Sequence, residues 1–374
     1  MRIAHVSDCY APRTGGIETQ VRSLALAQAA RGDDVRIITA SPGHESVRAG
    51  ADVVDGLPVE RIALSLPGEI PVHPRTRARI LDSLRAAPVD VVHVHAGVIS
   101  PFAWGAVRAA RDLGVPTVVT VHSVWGPLAR PAFRVADAVT RWSQWGVILT
   151  AVSAVAASRI SASVGVPVGV LPNGIDASAW RAHGPWRPEP RMLRVVSVLR
   201  LAPRKRVGPL LRVLARAGVL LGPDVHVRAC LIGDGPERSR AERLAGRRGL
   251  DIDFAGRLDR EGITARFAQA DVFAQASVRE SFGIAALEAR TFGLPVVARS
   301  QTGTGEFIVD GVNGLLAGDD AALADALARL GRDPGLLARM RSFNETHPPD
   351  QGWSSVCDRA QAFYRQAGAA GGSA

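Results

Sequence analysis

The chain has 374 residues, more than one compact domain usually holds, and 47 % of them are hydrophobic while 21 % are charged. This composition excludes a disordered or collagen-like protein and predicts two α/β domains. The net charge of +10 comes from arginines spread along the whole chain, so it does not indicate a nucleic-acid-binding tail. Three distant cysteines, no signal-peptide pattern and no apolar run of transmembrane length favour a cytoplasmic protein.

In the first half, strand-like apolar runs alternate with amphipathic helical patterns, which is typical of βα units around a parallel sheet. Strands are predicted at 2–8, 34–40, 89–95, 117–122 and 147–153, and helices at 17–32 and 100–114. The segments 41–75 and 123–140 are predicted to be variable surface loops. The first half is therefore predicted to be one Rossmann-like domain.

The pattern of strands and helices restarts after residues 171–191. This Pro-, Gly- and Trp-rich passage has neither a helical nor an alternating hydrophobic period and is predicted to be a linker. Strands follow at 193–200, 225–235, 252–258, 271–277 and 295–300. Helices are predicted at 207–218, 237–248, 260–269, 284–292, 321–331 and 353–368. The second half is therefore predicted to be another Rossmann-like domain.

Gly15 and Gly16 lie between the first strand and the first helix. Adjacent glycines let the backbone approach a ligand closely, and the free N–H groups of a helix N-terminus attract phosphate. The full G-x-G-x-x-G spacing is absent, so a simple tight turn explains the pair nearly as well.

Arg200 and Lys205 lie five residues apart, after the first strand of the second half. The carboxyl ends of parallel strands form the edge at which open α/β sheets bind ligands. Two cations there could offset the charge on a departing nucleotide diphosphate, a role that a divalent metal fills in other enzymes. The alternative is a basic surface loop, but Lys205 is the only lysine among 45 basic residues.

Glu280 precedes a Ser-Phe-Gly turn, and Glu288 lies eight residues on, in the predicted helix 284–292. This spacing predicts both carboxylates on roughly the same face, where they could accept hydrogen bonds from sugar and ribose hydroxyls. The N–H groups around Phe282, Gly283 and Ile284 are expected to face an anion. A pair of glutamates by itself also fits a structural role.

Three histidines end or line predicted strands of the first half. His122 ends a buried strand at the ligand-binding edge, where a structural role and a ligand contact are both open. His93 and His95 share one face of a strand, but no third ligand accompanies them, so no metal site is predicted.

Asp251 and Asp253 lie within a strand-like run and are interpreted as structural.

Arg75, Arg77 and Arg79 lie on a predicted helix or just before it. They are interpreted either as a solvated helix face or as a peripheral docking surface for an anionic lipid headgroup or a phosphorylated acceptor.

Together these segments resemble glycosyltransferase family 4, whose members are retaining enzymes of GT-B architecture. The resemblance covers nearly the whole chain and rests on GGIE at 15–18, HS at 122–123, LPNGID at 171–176, RLAPRK at 200–205, LIGDGPE at 231–237, FAGRL at 254–258, ESFGIAALE at 280–288 and VDGVNGLL at 309–316. It implies an α/β fold of two Rossmann-like domains with parallel sheets facing a central cleft. The acceptor domain would span 1–172 and the nucleotide-sugar donor domain 173–352, with the C-terminal helix in 353–374 packing back on the first domain.

The resemblance also implies roles for individual residues. The catalytic residues would be His122, Arg200, Lys205 and Glu280. The donor-binding residues would be Gly15, Gly16, Gly233, Arg257, Ser281, Phe282, Gly283, Ile284 and Glu288. The two cations and the glycine amides would hold the diphosphate, Glu280 and His122 would contact the donor sugar, Glu288 the ribose, and Gly233 and Arg257 the base.

The implied reaction is front-face displacement with retention and needs no metal or other cofactor. The co-substrate would be a nucleotide diphosphate sugar, with a UDP-sugar favoured and GDP-mannose possible. The acceptor would be a small molecule or a lipid-linked hydroxyl, selected by the loops 41–75 and 123–140. A nucleotide-sugar epimerase and a non-catalytic sugar-nucleotide binding protein are the alternatives, and the oligomeric state is open.

Three positions depart from the family pattern. Leu199 and Arg206 stand where glycines flank the Arg and Lys, which predicts a stiffer or more basic loop. Ser281 replaces a glycine and would add a hydroxyl near the phosphates. The segment 302–305, Thr-Gly-Thr-Gly, replaces a paired glycine, so the donor sugar is not defined by the resemblance.

Overall fold

The computed structural model describes residues 1–13, 15–44, 48–63, 73–97, 100–125, 129–142, 145–181, 184 and 186–371. Contacts between residues divide the chain into two units, Met1–Gly174 with Gln351–Ala374 and Ile175–Asp350. These limits differ by two residues from those expected.

The first unit is built on an eight-stranded sheet. Its strands are β1 (Arg2–Ser7), β2 (Asp34–Thr39), β3 (Gly50–Val54), β4 (Leu57–Arg61), β5 (Val91–Ala96), β6 (Thr117–Val121), β7 (Ile148–Ala151) and β8 (Gly169–Val170). Its helices are α1 (Gly16–Ala30), α2 (Thr76–Ala86), α3 (Pro101–Asp112), α4 (Ala129–Thr140), α5 (Ala154–Val164) and, at the end of the chain, α12 (Trp353–Gly371). The strand order is β3-β4-β2-β1-β5-β6-β7-β8, and all neighbours are parallel except β3 and β4.

The prediction that 41–75 and 123–140 are surface loops is wrong in part. An antiparallel hairpin, β3 and β4, turns at Asp55 and Gly56, whose φ angles of 53° and 81° are those of a tight two-residue hairpin turn. Aspartate followed by glycine is a strong hairpin signal in a sequence. The flanking strands are short and partly polar, so the alternation that would identify them as a hairpin is weak. The second segment contains α4. Residues 45–47, 64–72 and 126–128 lie outside the described part of the chain.

The central strands β1, β5 and β6 are buried almost throughout, because helices cover both faces of a parallel sheet. The last helix, α12, packs against α1 and β6, and three residues extend it beyond the expected end at 368. Its Tyr364 is fully buried and accepts a hydrogen bond from Nε2 of Gln28 on α1 at 2.9 Å.

The second unit has a six-stranded sheet in which all neighbours are parallel. Its strands are β9 (Met192–Val198), β10 (His226–Ile232), β11 (Asp251–Gly256), β12 (Val272–Gln275), β13 (Val296–Arg299) and β14 (Gly314–Ala317). Its helices are α6 (Val207–Leu221), α7 (Arg238–Arg247), α8 (Arg260–Ala268), α9 (Ile284–Thr291), α10 (Asp320–Arg332) and α11 (Pro334–Thr346). The order β11-β10-β9-β12-β13-β14 reverses direction between β9 and β12, as in a doubly wound Rossmann sheet. The predicted α/β fold with two parallel-sheet domains is therefore confirmed.

Candidate active site

Two loops of the second unit meet where the strand order reverses. β9 and β12 are parallel neighbours although β10 and β11 separate them in sequence, so the loops after their carboxyl ends lie side by side. Open parallel sheets bind ligands at such points because the connections diverge there to opposite faces of the sheet. Lys205 lies on the first loop and Glu280 on the second.

Lys205 and Glu280 form an ion pair between these loops. Nζ of Lys205 donates to Oε2 of Glu280 at 2.6 Å, and the two side chains are 28 % and 11 % exposed. Partial burial strengthens the attraction because little water screens the two charges. The contact holds an ammonium group and a carboxylate together at the ligand-binding edge of the sheet.

Arg200 lies two residues beyond β9 and is exposed. Among the residues that the structure describes, no carboxylate lies within ion-pair distance of its guanidinium. The two predicted cations therefore differ, because Lys205 has a carboxylate partner whereas Arg200 is available to an anion from solution.

Arg206 replaces a glycine of the family pattern at a position that favours glycine. Its φ of 60° and ψ of 43° are left-handed, immediately before α6. Its guanidinium donates to both carboxylate oxygens of Asp320, at 3.1 and 2.7 Å, and to the carbonyl of Ala276 at 3.3 Å. These bonds tie the loop that carries Lys205 to α10 and to the loop after β12.

The N-terminus of α9 follows Glu280 directly. Gly283, with φ 95°, precedes the helix and has no side chain to cap it, and the first helical bond runs from the Leu287 amide to its carbonyl. The amides of the first turn, including that of Ile284, therefore have no partner within the helix. The Phe282 ring packs on Phe307 at 5.4 Å between centroids, so only its backbone can face a ligand.

The segment 302–305 packs directly behind this turn. The Gly303 amide donates to the Glu280 carbonyl at 3.0 Å, and a Cβ on Gly303 would lie 2.1 Å from the Ser281 carbonyl oxygen. A Cβ on Gly283 would lie 2.1 Å from Oγ1 of Thr304, which donates to Oε1 of Gln275 at 2.8 Å. In the sequence this segment is recognisable only as a departure from the family pattern. In the structure its contacts fix the backbone of the loop that carries Glu280.

Glu288 lies in the second turn of α9 and is partly buried. Burial raises the pKa of its carboxyl group to about 8. Within the described ranges, no hydrogen-bond or ion-pair partner reaches this carboxyl group. It is therefore mostly protonated at neutral pH and free to bind a hydroxyl.

Gly233 and Arg257 follow β10 and β11, next to the same sheet edge. Gly233 has a φ of 130°, and a Cβ there would lie 2.0 Å from the Leu199 carbonyl oxygen, so this position accepts only glycine. Its amide donates to the Gly256 carbonyl at 2.6 Å, and the exposed Arg257 is the next residue after Gly256. Both predicted base-binding residues therefore lie beyond carboxyl ends of adjacent strands.

In the first unit, Gly15 and Gly16 stand at the start of α1. Gly15 is extended, with a φ of −179°, so its conformation does not require glycine. A Cβ there would lie 2.4 Å from Oε2 of Glu18, and the other oxygen of this carboxylate, Oε1, pairs with Nε of Arg13 at 3.5 Å. A carboxylate of the chain itself thus lies near these amides, and the predicted phosphate contact would have to displace it.

The expectation that no third ligand accompanies His93 and His95 is wrong. His5 on β1 is paired in register with His93 on β5, and one ligand atom from each of the three buried imidazoles lies within 4.8 Å of the others. Sequence spacing could not show this because β1 and β5 are about ninety residues apart. All six ring nitrogens, however, have protein hydrogen-bond partners, namely His95, Gln28, Tyr364, Thr120, His5 and His122.

His122 follows β6 and is the last member of this histidine cluster. Its Nε2 lies 3.0 Å from Nδ1 of His95, and its amide donates to the Ala96 carbonyl at 2.8 Å. Burial lowers the pKa of its imidazole to about 4, although a hydrogen bond with Asn173 acts in the opposite direction. The ring is therefore neutral near pH 7.

The remaining charged candidates are solvent-facing. Arg77 pairs with Asp112 at 2.6 Å, while Arg75 and Arg79 are exposed on α2 and the turn before it. Asp251 and Asp253, interpreted as structural, pair with arginines of β10 and α8. Among the described residues, no helix combines the length and the apolar character needed to span a membrane.

Sequence models of two families match almost the whole chain between them. The family described as Glycosyltransferase Family 4 matches residues 14–179, and that described as Glycosyl transferases group 1 matches residues 180–347. A phosphatidyl-myo-inositol mannosyltransferase of Mycobacterium leprae is 29 % identical over 99 % of this chain and 98 % of its own. A GDP-mannose-dependent alpha-mannosyltransferase of Mycolicibacterium smegmatis is 27 % identical over 97 % of both chains.

Solved structures agree with this match at the level of the fold. Anabaena HepE in complex with UDP superposes with a TM-score of 0.73 and 20 % identity, over 97 % of this chain and 99 % of its own. Sucrose-phosphate synthase from Thermosynechococcus elongatus gives a TM-score of 0.73 and 20 % identity, over 99 % of this chain and all of its own.

Proposed function

The chain belongs to glycosyltransferase family 4 and is a hexosyltransferase, and from this premise we propose that it transfers a hexose, with retention, from a nucleotide diphosphate sugar. The observation that carries the proposal is the Lys205–Glu280 ion pair at the switch point of a Rossmann sheet, next to the uncapped start of α9. A cation, a carboxylate and free amides are the groups that a sugar diphosphate needs.

Each group has a task in the proposed reaction. Lys205 and Arg200 stabilise the charge that grows on the leaving diphosphate, and the amides of α9 contribute fixed dipoles. Glu280, held by Lys205, accepts hydrogen bonds from hydroxyls of the donor sugar, and Glu288 binds the ribose. The acceptor oxygen bonds to the anomeric carbon as the bond to phosphate breaks, and the acceptor proton passes to a phosphate oxygen. The predicted contact of His122 with the donor sugar belongs to the same proposal.

The donor that we propose first is GDP-mannose, with a UDP-sugar second. A UDP-sugar is the donor favoured from the sequence, but two relatives that match nearly the full chain are mannosyltransferases, one named as GDP-mannose-dependent. The mycobacterial phosphatidyl-myo-inositol mannosyltransferase and a D-inositol 3-phosphate glycosyltransferase of Xylanimonas cellulosilytica, 29 % identical over 98 % of this chain and 96 % of its own, also point to an acceptor hydroxyl on phosphatidylinositol or an inositol phosphate. The protein charges supplied by Arg200 and Lys205 support transfer without a metal.

The test is a transfer assay with GDP-mannose, UDP-glucose and UDP-N-acetylglucosamine, each with myo-inositol 3-phosphate or phosphatidylinositol vesicles, in excess EDTA. Nucleotide release that depends on the acceptor, with a product of retained configuration by NMR, is the expected result. Interconversion of donor alone would identify an epimerase, and donor binding without release would identify a binding protein. Activity that EDTA abolishes and magnesium restores would contradict the metal-independent mechanism.

A further inference from the structure

An unbroken chain of hydrogen bonds runs from helix α1 through the sheet of the first unit to His122. Oε1 of Gln28 lies 2.7 Å from Nε2 of His5, and Nδ1 of His5 lies 2.9 Å from Nε2 of His95. Nδ1 of His95 lies 3.0 Å from Nε2 of His122. Gln28, His5 and His95 are at most 2 % exposed, so water does not interrupt this chain.

A second arm begins at the other end of the same glutamine amide. Nε2 of Gln28 donates to the Tyr364 hydroxyl at 2.9 Å, and that hydroxyl lies 2.8 Å from Nδ1 of His93. Nε2 of His93 lies 2.7 Å from Oγ1 of Thr120. The arm ends on Thr150, which contacts Thr120 at 2.7 Å and donates to a backbone carbonyl at 3.2 Å.

Both arms have one consistent direction of proton donation. Burial lowers the pKa of His5 to about 4 and holds those of His93 and His95 well below their usual value, so each ring is neutral and has one N–H. The oxygen of Gln28 can only accept, so His5 donates from Nε2, and its Nδ1 must accept from Nε2 of His95. By the same step, Nδ1 of His95 accepts from Nε2 of His122. Reversing the chain would require the Gln28 amide to turn over and the Thr150 hydroxyl to leave its carbonyl.

We propose that Gln28 is a positioning residue that holds His122 in its Nε2–H tautomer through His5 and His95. Nδ1 of His122 then has no proton and can only accept a hydrogen bond, either from the amide nitrogen of Asn173, the other hydrogen-bond partner of the ring, or from a hydroxyl group that replaces it. Its identification as a contact to the donor sugar rests on the proposed function, whereas the tautomer itself does not. A neutral acceptor nitrogen binds a sugar hydroxyl but does not serve as a proton donor to it.

The main alternative for this cluster is a metal ion on His5, His93 and His95. A metal would have to break hydrogen bonds at three ring nitrogens that protein atoms already satisfy, and it would leave Gln28, Tyr364 or Thr120 with unpaired buried groups. The geometry therefore favours the hydrogen-bonded chain.

The experiment is ¹⁵N NMR of the imidazoles in the histidine-labelled full-length protein without ligand, for the wild type and for Gln28→Met. The expected result is His122 entirely as the Nε2–H tautomer in the wild type and as a mixture of both tautomers in Gln28→Met. The control is Ser163→Ala, which removes another buried polar side chain of the same unit whose partner is the backbone of Arg159 rather than a histidine. It should leave His122 unchanged.

Gln28→Glu is the second variant, because it keeps an acceptor oxygen for His5 and should retain the Nε2–H tautomer of His122 as long as His5 stays neutral, which the same spectra report. An Nδ1–H tautomer in the wild type, an unchanged His122 in Gln28→Met, or a mixture in Gln28→Glu with neutral His5 would each overturn the proposal. Stoichiometric Zn²⁺ binding that removes the histidine N–H signals would overturn it as well. Turnover of Gln28→Met is measured separately: a mixed tautomer with unchanged kcat would contradict the proposed role of His122 but not the hydrogen-bonded chain.

Discussion

Lys205 is the only lysine of the chain, and it is the one basic residue whose ammonium group contacts Glu280. An ammonium group is compact and can contact a carboxylate and a phosphate oxygen at the same time, whereas a guanidinium is planar and bulkier. This difference in size and shape explains why lysine stands here although arginine supplies every other basic position.

We predict that Lys205→Met and Glu280→Gln each lower kcat by about 10²-fold, because each removes a charged group that contacts the donor. Lys205→Met also lowers the melting temperature, since it leaves a nearly buried carboxylate unpaired. The double variant should recover the melting temperature but not the activity. Recovery of activity together with stability would show that the pair is only structural.

We predict that donor binding releases protons from Glu288. Its pKa of about 8 keeps it protonated at pH 7, and ribose hydroxyls that donate to the carboxylate would lower that pKa on binding. Calorimetric titrations in two buffers of different ionisation enthalpy should show release of up to about one proton per nucleotide. Glu288→Gln is the control and should bind without this buffer dependence, and an identical buffer dependence in that variant would refute the assignment.

At the scale of elements, the start of α6 combines a backbone cost with a compensating contact. Arg206 adopts a left-handed conformation that costs a non-glycine residue about 1 kcal/mol or more, and its bonds to Asp320 offset that cost. The stiffer loop predicted from the sequence thus has a physical basis in these two ion-pair bonds between the loop and α10.

We predict that Arg206→Ala lowers the free energy of unfolding more than Arg206→Gly does, by about 1 kcal/mol, because alanine keeps the backbone cost while both lose the ion pair. Urea denaturation of the two variants measures the difference. Asp320→Asn removes most of the pairing without changing the backbone at Arg206, and because Asp320 also accepts from Nη1 of Arg299 at 3.2 Å, Arg299→Gln is measured beside it. Equal stability of the alanine and glycine variants would mean that the left-handed conformation is not maintained.

At the scale of the whole molecule, buried titrating groups in both units set the pH dependence of stability. Burial lowers the pKa values of His5 and His122 to about 4 and holds those of His93 and His95 well below their usual value. Burial instead raises the pKa of Glu288 to about 8. The four histidines therefore make the folded protein more stable as the pH rises, whereas Glu288 makes it less stable as the pH rises towards 8.

We predict that stability rises with pH between about 4 and 6.5, because the unfolded chain binds protons at the four histidines while the folded protein does not. The rise is partly offset by Glu288 and by Asp8, whose pKa is raised to about 6, because both carboxyl groups bind protons in the folded protein that the unfolded chain has already lost. Between pH 6.5 and 8 stability should fall, since Glu288 stays protonated only in the folded protein. Urea denaturation from pH 4 to 8 tests this, and Glu288→Gln should remove the fall above pH 6.5.

The α/β class, the two Rossmann-like halves and the motif residues follow from the sequence alone, because buried parallel strands appear as continuous apolar runs and amphipathic helices have a period of about 3.6 residues. Local patterns do not reveal β3 and β4, whose strands are short and partly polar. They also do not reveal β14, which is short, or α11, which begins at Pro334. Only the tertiary structure paired Lys205 with Glu280, placed segment 302–305 behind that loop and brought His5 to His93. Those contacts join residues about 20 to 90 positions apart, and strand order, which no local period encodes, decides which of them meet.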